Sequence, residues 1–294
     1  EFRRVLFRSV VAELVAFGIL LGTVYALLAI GLSLIFGVCG VVNLAHGEFV
    51  MLGAYTTYWS WQLANVNPIL TLPVSMLLLF VVGYLVSRYL VQRVAHKGQM
   101  ATLMLTFGVS IVLWNTAEIA FTPIFRSVDY LVDPVSLGFV TAAKAYFVAS
   151  GLALLLLAIF FATLKYTRFG QAIRATAQNR NMALACGINV RRMESLAFAL
   201  GAMLAGACGT MVAMIWTISP QMGLTWITKA FAMVVIGGLG SIPGAFLGAY
   251  IFGLAESVGT HVLSTRMAQV LPFAIIIAIL VVRRGGLLTG KDAE

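Results

Sequence analysis

Three side chains able to do chemistry lie within six residues of one another. Asn43, His46 and Glu48 sit in the stretch VVNLAHGEFVMLGAY, residues 41–55, with apolar neighbours on both sides. An imidazole and a carboxylate so placed could relay protons, gate a polar path, or satisfy backbone groups where a helix is interrupted. A proton relay usually needs several titratable groups in series. His46 and Glu48 are two positions apart, so on one continuous helix they would not face each other. Gly40 and Gly47 allow a break, and a break frees backbone groups that must face protein or a cavity. Asn43, His46, Gly47 and Glu48 are therefore expected to cap and lock a helix break, with lining or gating of a pathway as the sharper alternative.

No other reactive constellation stands out. The run Gly285-Gly286-Leu287-Leu288-Thr289-Gly290-Lys291-Asp292 approaches a P-loop. That motif demands Ser or Thr after the Lys and a helix beyond it, and Asp292 fails the first condition. Cys39, Cys186 and Cys208 lack metal-ligand spacing and read as small apolar residues, so no disulfide framework is expected. The chain is expected to be no enzyme and to bind no cofactor or metal.

The elements that must position these residues follow from composition. Of 294 residues, 61% are hydrophobic and only 10% charged. Soluble domains carry about 25% charged residues, so the deficit points to lipid as the solvent. Apolar segments run near 10–37, 41–64, 68–92, 99–121, 144–164, 193–217, 226–240, 243–260 and 267–282. A bilayer crossing needs about 20 such residues. The fold expected is all-α, a polytopic transmembrane helical bundle with eight to ten spans, including broken or re-entrant segments. Small residues recur every four positions at Gly18/Gly22/Ala26, Gly201/Ala205/Gly209 and Gly240/Gly244/Gly248, a pattern that lets helix backbones approach closely. Residues 10–290 read as one transmembrane domain. Residues 1–9, which lack an initiator Met, are set aside as a non-native or disordered N-terminus. A short similarity links His46–Tyr55 with Pro243–Tyr250, and repeated halves are common in transporters.

The net charge of +9 comes from loops between apolar spans, which argues against nucleic acid as a partner. Basic residues cluster at 93–98, 165–192 and 283–294, and the loop 122–143 lacks that bias. The positive-inside rule puts the first three in the cytoplasm, the C-terminus with them, and 122–143 outside. The side of the N-terminus stays open. Trp59, Trp61, Trp216 and Trp226 are expected as an outer aromatic belt, and Lys229 is expected to snorkel from the start of a span. Glu118 with Asn115, and Glu256 with Ser257, are expected to bond between helices.

The loop 165–192, KYTRFGQAIRATAQNRNMALACGINVRR, is the longest polar segment. Its middle is helix-compatible and Gly187 stops the run, so a short amphipathic helix is expected. It either merely holds the loop in the cytoplasm or docks a soluble partner.

Here a resemblance becomes specific. Arg168 and Gly170-Gln171-Ala172-Ile173-Arg174-Ala175, then Asn179, Ala183 and Gly187-Ile188, resemble the coupling loop of branched-chain amino acid ABC importer permeases. Asn43–Glu48 leading to Tyr55 resembles that family's first signature. Gly237-Gly238-Leu239-Gly240-Ser241-Ile242-Pro243-Gly244 resembles its late glycine motif. Gln171 departs from the basic residue usual there, and the general Glu-Ala-Ala pattern of ABC permeases is absent. The resemblance implies an integral permease subunit in a bacterial plasma (inner) membrane. It implies ATPase subunits that use ATP and Mg²⁺, a second related permease in a homo- or heterodimer, and an extracytoplasmic substrate-binding protein. Rival readings are a permease for another small solute (urea, an amide or a sugar) and an ion-coupled carrier titrating at His46, Glu48 and Glu118.

Overall fold

A computed structural model describes residues 2–137 and 140–262, with Ala274 and Ile277 beyond them. The helices are α1 (Phe2–Cys39), α2 (His46–Ala64), α3 (Pro68–Leu85), α4 (Gln92–Val94), α5 (Gln99–Phe121) and α6 (Lys144–Tyr166). After them come α7 (Arg168–Gln178), α8 (Arg180–Ala185), α9 (Val190–Ile215), α10 (Met222–Gly237) and α11 (Ile242–Val262). A π-helical turn, Val86–Val91, joins α3 to α4, so Pro68–Lys97 forms one long span. Among the described residues, six helices are long and apolar enough to cross a membrane, and α10 is a shorter apolar helix. The bundle is the polytopic helical one expected. Helix α1 is continuous from Phe2, through the segment expected to stand outside the fold. The span expected at 267–282 and the basic tail at 283–294 lie outside the described residues, apart from Ala274 and Ile277. Among the described residues two strands occur, β1 (Pro134–Leu137) and β2 (Val140–Ala143), which pair antiparallel in the loop after α5.

Local chemistry sets the boundaries. Asn67 caps α3 by accepting from the Ile69 N–H at 3.0 Å, with Pro68 in the first turn. A proline there gives up an N–H that would be unpaired in any case. Thr167, Asn179 and Asn189 cap α7, α8 and α9 in the same way. Gly187 (φ +79°) and Gly238 (φ +102°) take conformations that side-chain-bearing residues rarely adopt, and both follow helix ends.

Contacts give each helix its direction. Helix α1 is antiparallel to α11, with Gly18 against Leu254, Gly22 against Tyr250 and Gly37 against Gly240. It is also antiparallel to α9, where Gly31 meets Gly201 and the Cys39 thiol donates to the Glu194 carbonyl at 3.3 Å. Helices α3 and α9 are antiparallel too, through Ser75–Thr210 at 2.6 Å and Gly83 against Ala202. So α1–α2–α3 and α9–α10–α11 are two triplets, each long, short, long, running in opposite senses. Their short members meet where both begin inside the bundle, Gly47 against Gly223. By this topology α2 corresponds to α10. The sequence similarity had instead aligned α2 with α11. It reflects a shared packing need: Gly47 and Gly53 face Gly223 and Gly206, while Gly244 and Gly248 face Gly237 and Met233.

The core lies along α1 and α9, whose most apolar windows are 83% buried, against 17% for α5 and 33% for α6. The segment 92–96 and the loop helices share one end of the bundle, where the Gln92 amide donates to the Arg191 carbonyl and, at 2.6 Å, to Ser195 Oγ. The other end holds the loop 122–143, tied by a backbone bridge between Arg126 and Ile218. There the Arg126 guanidinium donates to Tyr58 Oη at 3.2 Å and lies over the Trp59 ring.

Lys229 departs from its expected place. Helix α10 begins at Met222 rather than near 226, which sets Lys229 two turns into the bundle instead of at an interface. Its ammonium lies 2.8 Å from Glu256 Oε1 and donates to Tyr25 Oη at 3.1 Å. The Tyr25 hydroxyl donates onward to Glu256 Oε2 at 2.9 Å. Rings of Tyr25 and Trp226 stand 5.0 and 5.3 Å from the ammonium. Trp216 stacks on Tyr25 at 6.1 Å and meets Trp226 at 5.4 Å. Trp226 is thus buried and turned inward with its π face toward the ammonium rather than toward an interface, while Trp216 packs on it and stays half-buried. Glu256 and Ser257 do bond between helices, Ser257 to the Leu14 carbonyl at 2.7 Å. Glu118 accepts from Gln221 at 3.1 Å, whereas Asn115 bonds only within its own helix.

Two stability outcomes follow. Gly223→Leu should lower the unfolding temperature in detergent by many degrees, because a Cβ there would overlap the Glu48 carboxylate. Gly108→Leu, where a Cβ meets nothing within 4 Å, should leave it nearly unchanged. Lys229→Met or Glu256→Gln alone should cost about 3 kcal/mol by stranding the other charge, the lower end for a buried pair, as each side chain keeps 16% exposure. The double variant should cost less than the sum, measured by denaturant midpoints; simple additivity would remove the pair from the argument.

Candidate functional site

The break between α1 and α2 is real. Gly40 takes φ +65° and ends α1, residues 41–45 are non-helical, and α2 starts at His46. Asn43, His46 and Glu48 are 0%, 0% and 4% exposed. Asn43 Oδ1 accepts from the Ala45 N–H at 3.1 Å, closing the turn. His46 Nε2 lies 3.2 Å from the Leu28 carbonyl, which can only accept, so the ring donates into α1. Glu48 Oε1 accepts from Ser110 Oγ at 3.2 Å, and the whole carboxylate lies against Gly223 in the first turn of α10. A carboxylate there is favoured by the unpaired N–H groups of a helix start. Gly47 permits that approach, packed backbone to backbone on Gly223.

Part of the lock comes from residues that the motif did not contain. Thr106 of α5 accepts from the Leu44 N–H at 3.3 Å and donates to the Val42 carbonyl at 3.0 Å. Thr102, Thr106 and Ser110 recur every fourth position in the first half of α5, where their neighbours are mostly apolar, and that stripe is a readable signal. Gly223 and the Lys229–Tyr25–Glu256 cluster carried no such signal, since each depends on where α10 begins. His46, Glu48 and Glu118 bond to Leu28, Ser110 and Gln221 respectively and share no hydrogen bond.

The loop helix expected in 165–192 is two helices. Asn179 (φ −154°) breaks the run and its side chain accepts from the N–H groups of Asn181 and Met182. Its residues divide by burial. Gly170 and Ala183 are buried against the bundle, and Ala175 and Ile188 are half-buried. Arg168, Arg174, Asn179 and Gly187 are exposed. Ile173, 1% exposed, and Thr176 complete the packed face of α7. Arg180 of α8 pairs with Glu194 of α9 at 2.9 Å, so the elbow between them is held by an ion pair.

The late glycines form the turn between α10 and α11. Gly237 packs on Gly244, Gly238 and Gly240 take positive φ, and Ser241 Oγ accepts from the Gly244 N–H at 3.1 Å. Gly240 seats the turn on Gly37 of α1. Helices α10 and α11 are therefore joined as a tight hairpin through Gly238–Ser241. No group of His, Cys, Asp or Glu suited to a metal ion occurs among the described residues.

Known proteins place this architecture. Residues 14–280 match the family described as branched-chain amino acid transport system / permease component. The chain is 31% identical to LivH of Escherichia coli K12, a high-affinity branched-chain amino acid transport system permease protein, covering 94% of this chain and 95% of that one. It is 30% identical to BraD of Pseudomonas aeruginosa, a permease protein of the same description, over 94% and 95%. LivM of Escherichia coli K12 is 26% identical over 80% of this chain and 61% of its own. No solved structure matches the chain. An apolar bundle of this organisation, matched along almost its whole length, belongs to the family of branched-chain amino acid transport permease components.

Proposed function

We propose that this chain carries branched-chain or related hydrophobic amino acids across a bacterial inner membrane as one permease of an ABC importer. The observation that carries the reading is near full-length identity of about 31% to permeases named for that system. Separate ATPase subunits hydrolyse ATP with Mg²⁺, and this chain binds neither. An extracytoplasmic binding protein delivers the solute and does most of the selecting. In Escherichia coli two permease proteins, LivH and LivM, carry the same system's name, which supports a related second permease as partner. The loop end of the bundle, and the C-terminus, face the cytoplasm.

In this reading α7 and α8 are the coupling element. The exposed Arg168, Arg174, Asn179 and Gly187 meet the ATPase, while Gly170, Ala175, Ala183 and Ile188 seat the element on the bundle. Nucleotide shifts the bundle between inward- and outward-facing states only by binding one of them better. The pathway runs by the α5–α10 side, where Glu48 and Ser110 lie beneath the Glu118–Gln221 bridge. Exposed Thr225 and Thr228 continue that side along α10. Asn43 and His46 hold the break that aims Glu48 there, and the late glycines let α10 and α11 move as one hairpin.

Arg168→Ala combined with Arg174→Ala, both exposed side chains, should leave the protein folded and monodisperse. ATP-driven uptake into vesicles holding the full set of subunits should be lost. Undiminished uptake would remove α7–α8 from coupling.

A further inference from the structure

A cavity of about 390 Å³ opens at the loop end, between the end of α1, the π turn with α4, and the α8–α9 elbow. Small-molecule sites span about 300–1,000 Å³. Its lining is mixed. Val41 and Val91, each 3% exposed, and Ala95 are apolar. Cys39, Ser87, Gln92 and His96 lie among them, and Arg180, Arg191 and Glu194 supply the charges. Arg191 and Glu194 are three apart on α9 and so share a face. Glu194 Oε1 is engaged by Arg180 at 2.9 Å, but a carboxylate accepts several donors. The Arg191 guanidinium has no carboxylate partner among the described residues. Gln92 fixes the floor by bonding to the Arg191 carbonyl and Ser195.

A carboxylate and a guanidinium in one cavity with branched apolar residues complement a zwitterion with a short aliphatic side chain. The ligand ammonium would meet Glu194, its carboxylate Arg191, and its side chain Val41 and Val91. An inorganic anion would pair with Arg191 but leave the apolar residues without a partner, and a purely apolar ligand would leave Arg191 without one. We propose that this cavity binds a free branched-chain amino acid from the loop side, and that the bound molecule restrains transport. The restraint rests on the transport reading above, because it works by clamping the start of α9, beside the α8–α9 elbow, to the π turn. An occupant touches both sides of that joint, so it favours the state in which the joint is closed.

Two measurements test this. The purified chain in lipid nanodiscs, with neither ATPase nor binding protein, should bind radiolabelled leucine at one saturable site. Arg191→Gln should weaken that binding at least tenfold. So should Ala95→Phe, which fills the cavity and removes no polar group. Excess inorganic phosphate should not displace the leucine. In vesicles of the complete transporter, leucine preloaded on the loop side should lower initial uptake severalfold. Ala95→Phe should abolish that inhibition and keep uptake into leucine-free vesicles. No binding, or binding untouched by both variants, overturns the site; displacement by phosphate overturns its zwitterion chemistry. Binding without any effect of preloading overturns the restraint. Failure of the unaltered transporter in leucine-free vesicles would count against the transport reading instead, leaving the nanodisc titration to decide the site.

Discussion

Inside an apolar bundle no water is at hand for a backbone N–H or C=O released by an interrupted helix, and each such group left unpaired costs several kcal/mol. The arrangement around residues 40–48 answers that constraint. Asn43 closes the turn on itself, Thr106 reaches across from α5 to two backbone groups, and His46 donates into α1. The polar residues that look like reactive chemistry in an apolar sequence are first of all the partners that allow α2 to begin in the interior. Any gating by Glu48 is built on that lock, because the lock sets where its carboxylate points.

Starting helices inside a bundle also brings backbones very close. Gly47 on Gly223 and Gly237 on Gly244 are contacts that a Cβ would prevent. They join the two opposed triplets at the middle and the α10–α11 hairpin at its turn. The same early start of α10 draws Lys229 away from the interface. Burying an ammonium is tolerable only with a paired carboxylate and further hydrogen bonds, and Glu256 with Tyr25 supplies both. The inward turn of Trp226 goes with that charge.

The loop end has a different physics. Helix α7 is amphipathic and lies on the bundle through Gly170 and Ile173, while the elbow from α8 to α9 is held by one partly exposed ion pair. Such pairs contribute little to stability, so the elbow is fixed in direction without being made rigid. That is compatible with the coupling role proposed for it.

Much of this was legible in the residues themselves. Apolar run length located the membrane helices, the Gly-X-X-X-Gly spacings marked tight helix faces, and the Asn–His–Glu motif with Gly40 marked the break. Gly187 marked the end of the loop helices. Those features depend on local preference and on the length needed to cross a bilayer, which the chain encodes position by position. What only the tertiary structure decided were pairings between distant segments: Thr106 with Val42 and Leu44, Glu48 beside Gly223, Lys229 with Glu256, and the correspondence of α2 with α10. Each depends on the depth at which a helix begins and on which neighbour it crosses. A shift of one turn, about 5.4 Å, exchanges one partner for another while the sequence pattern stays the same.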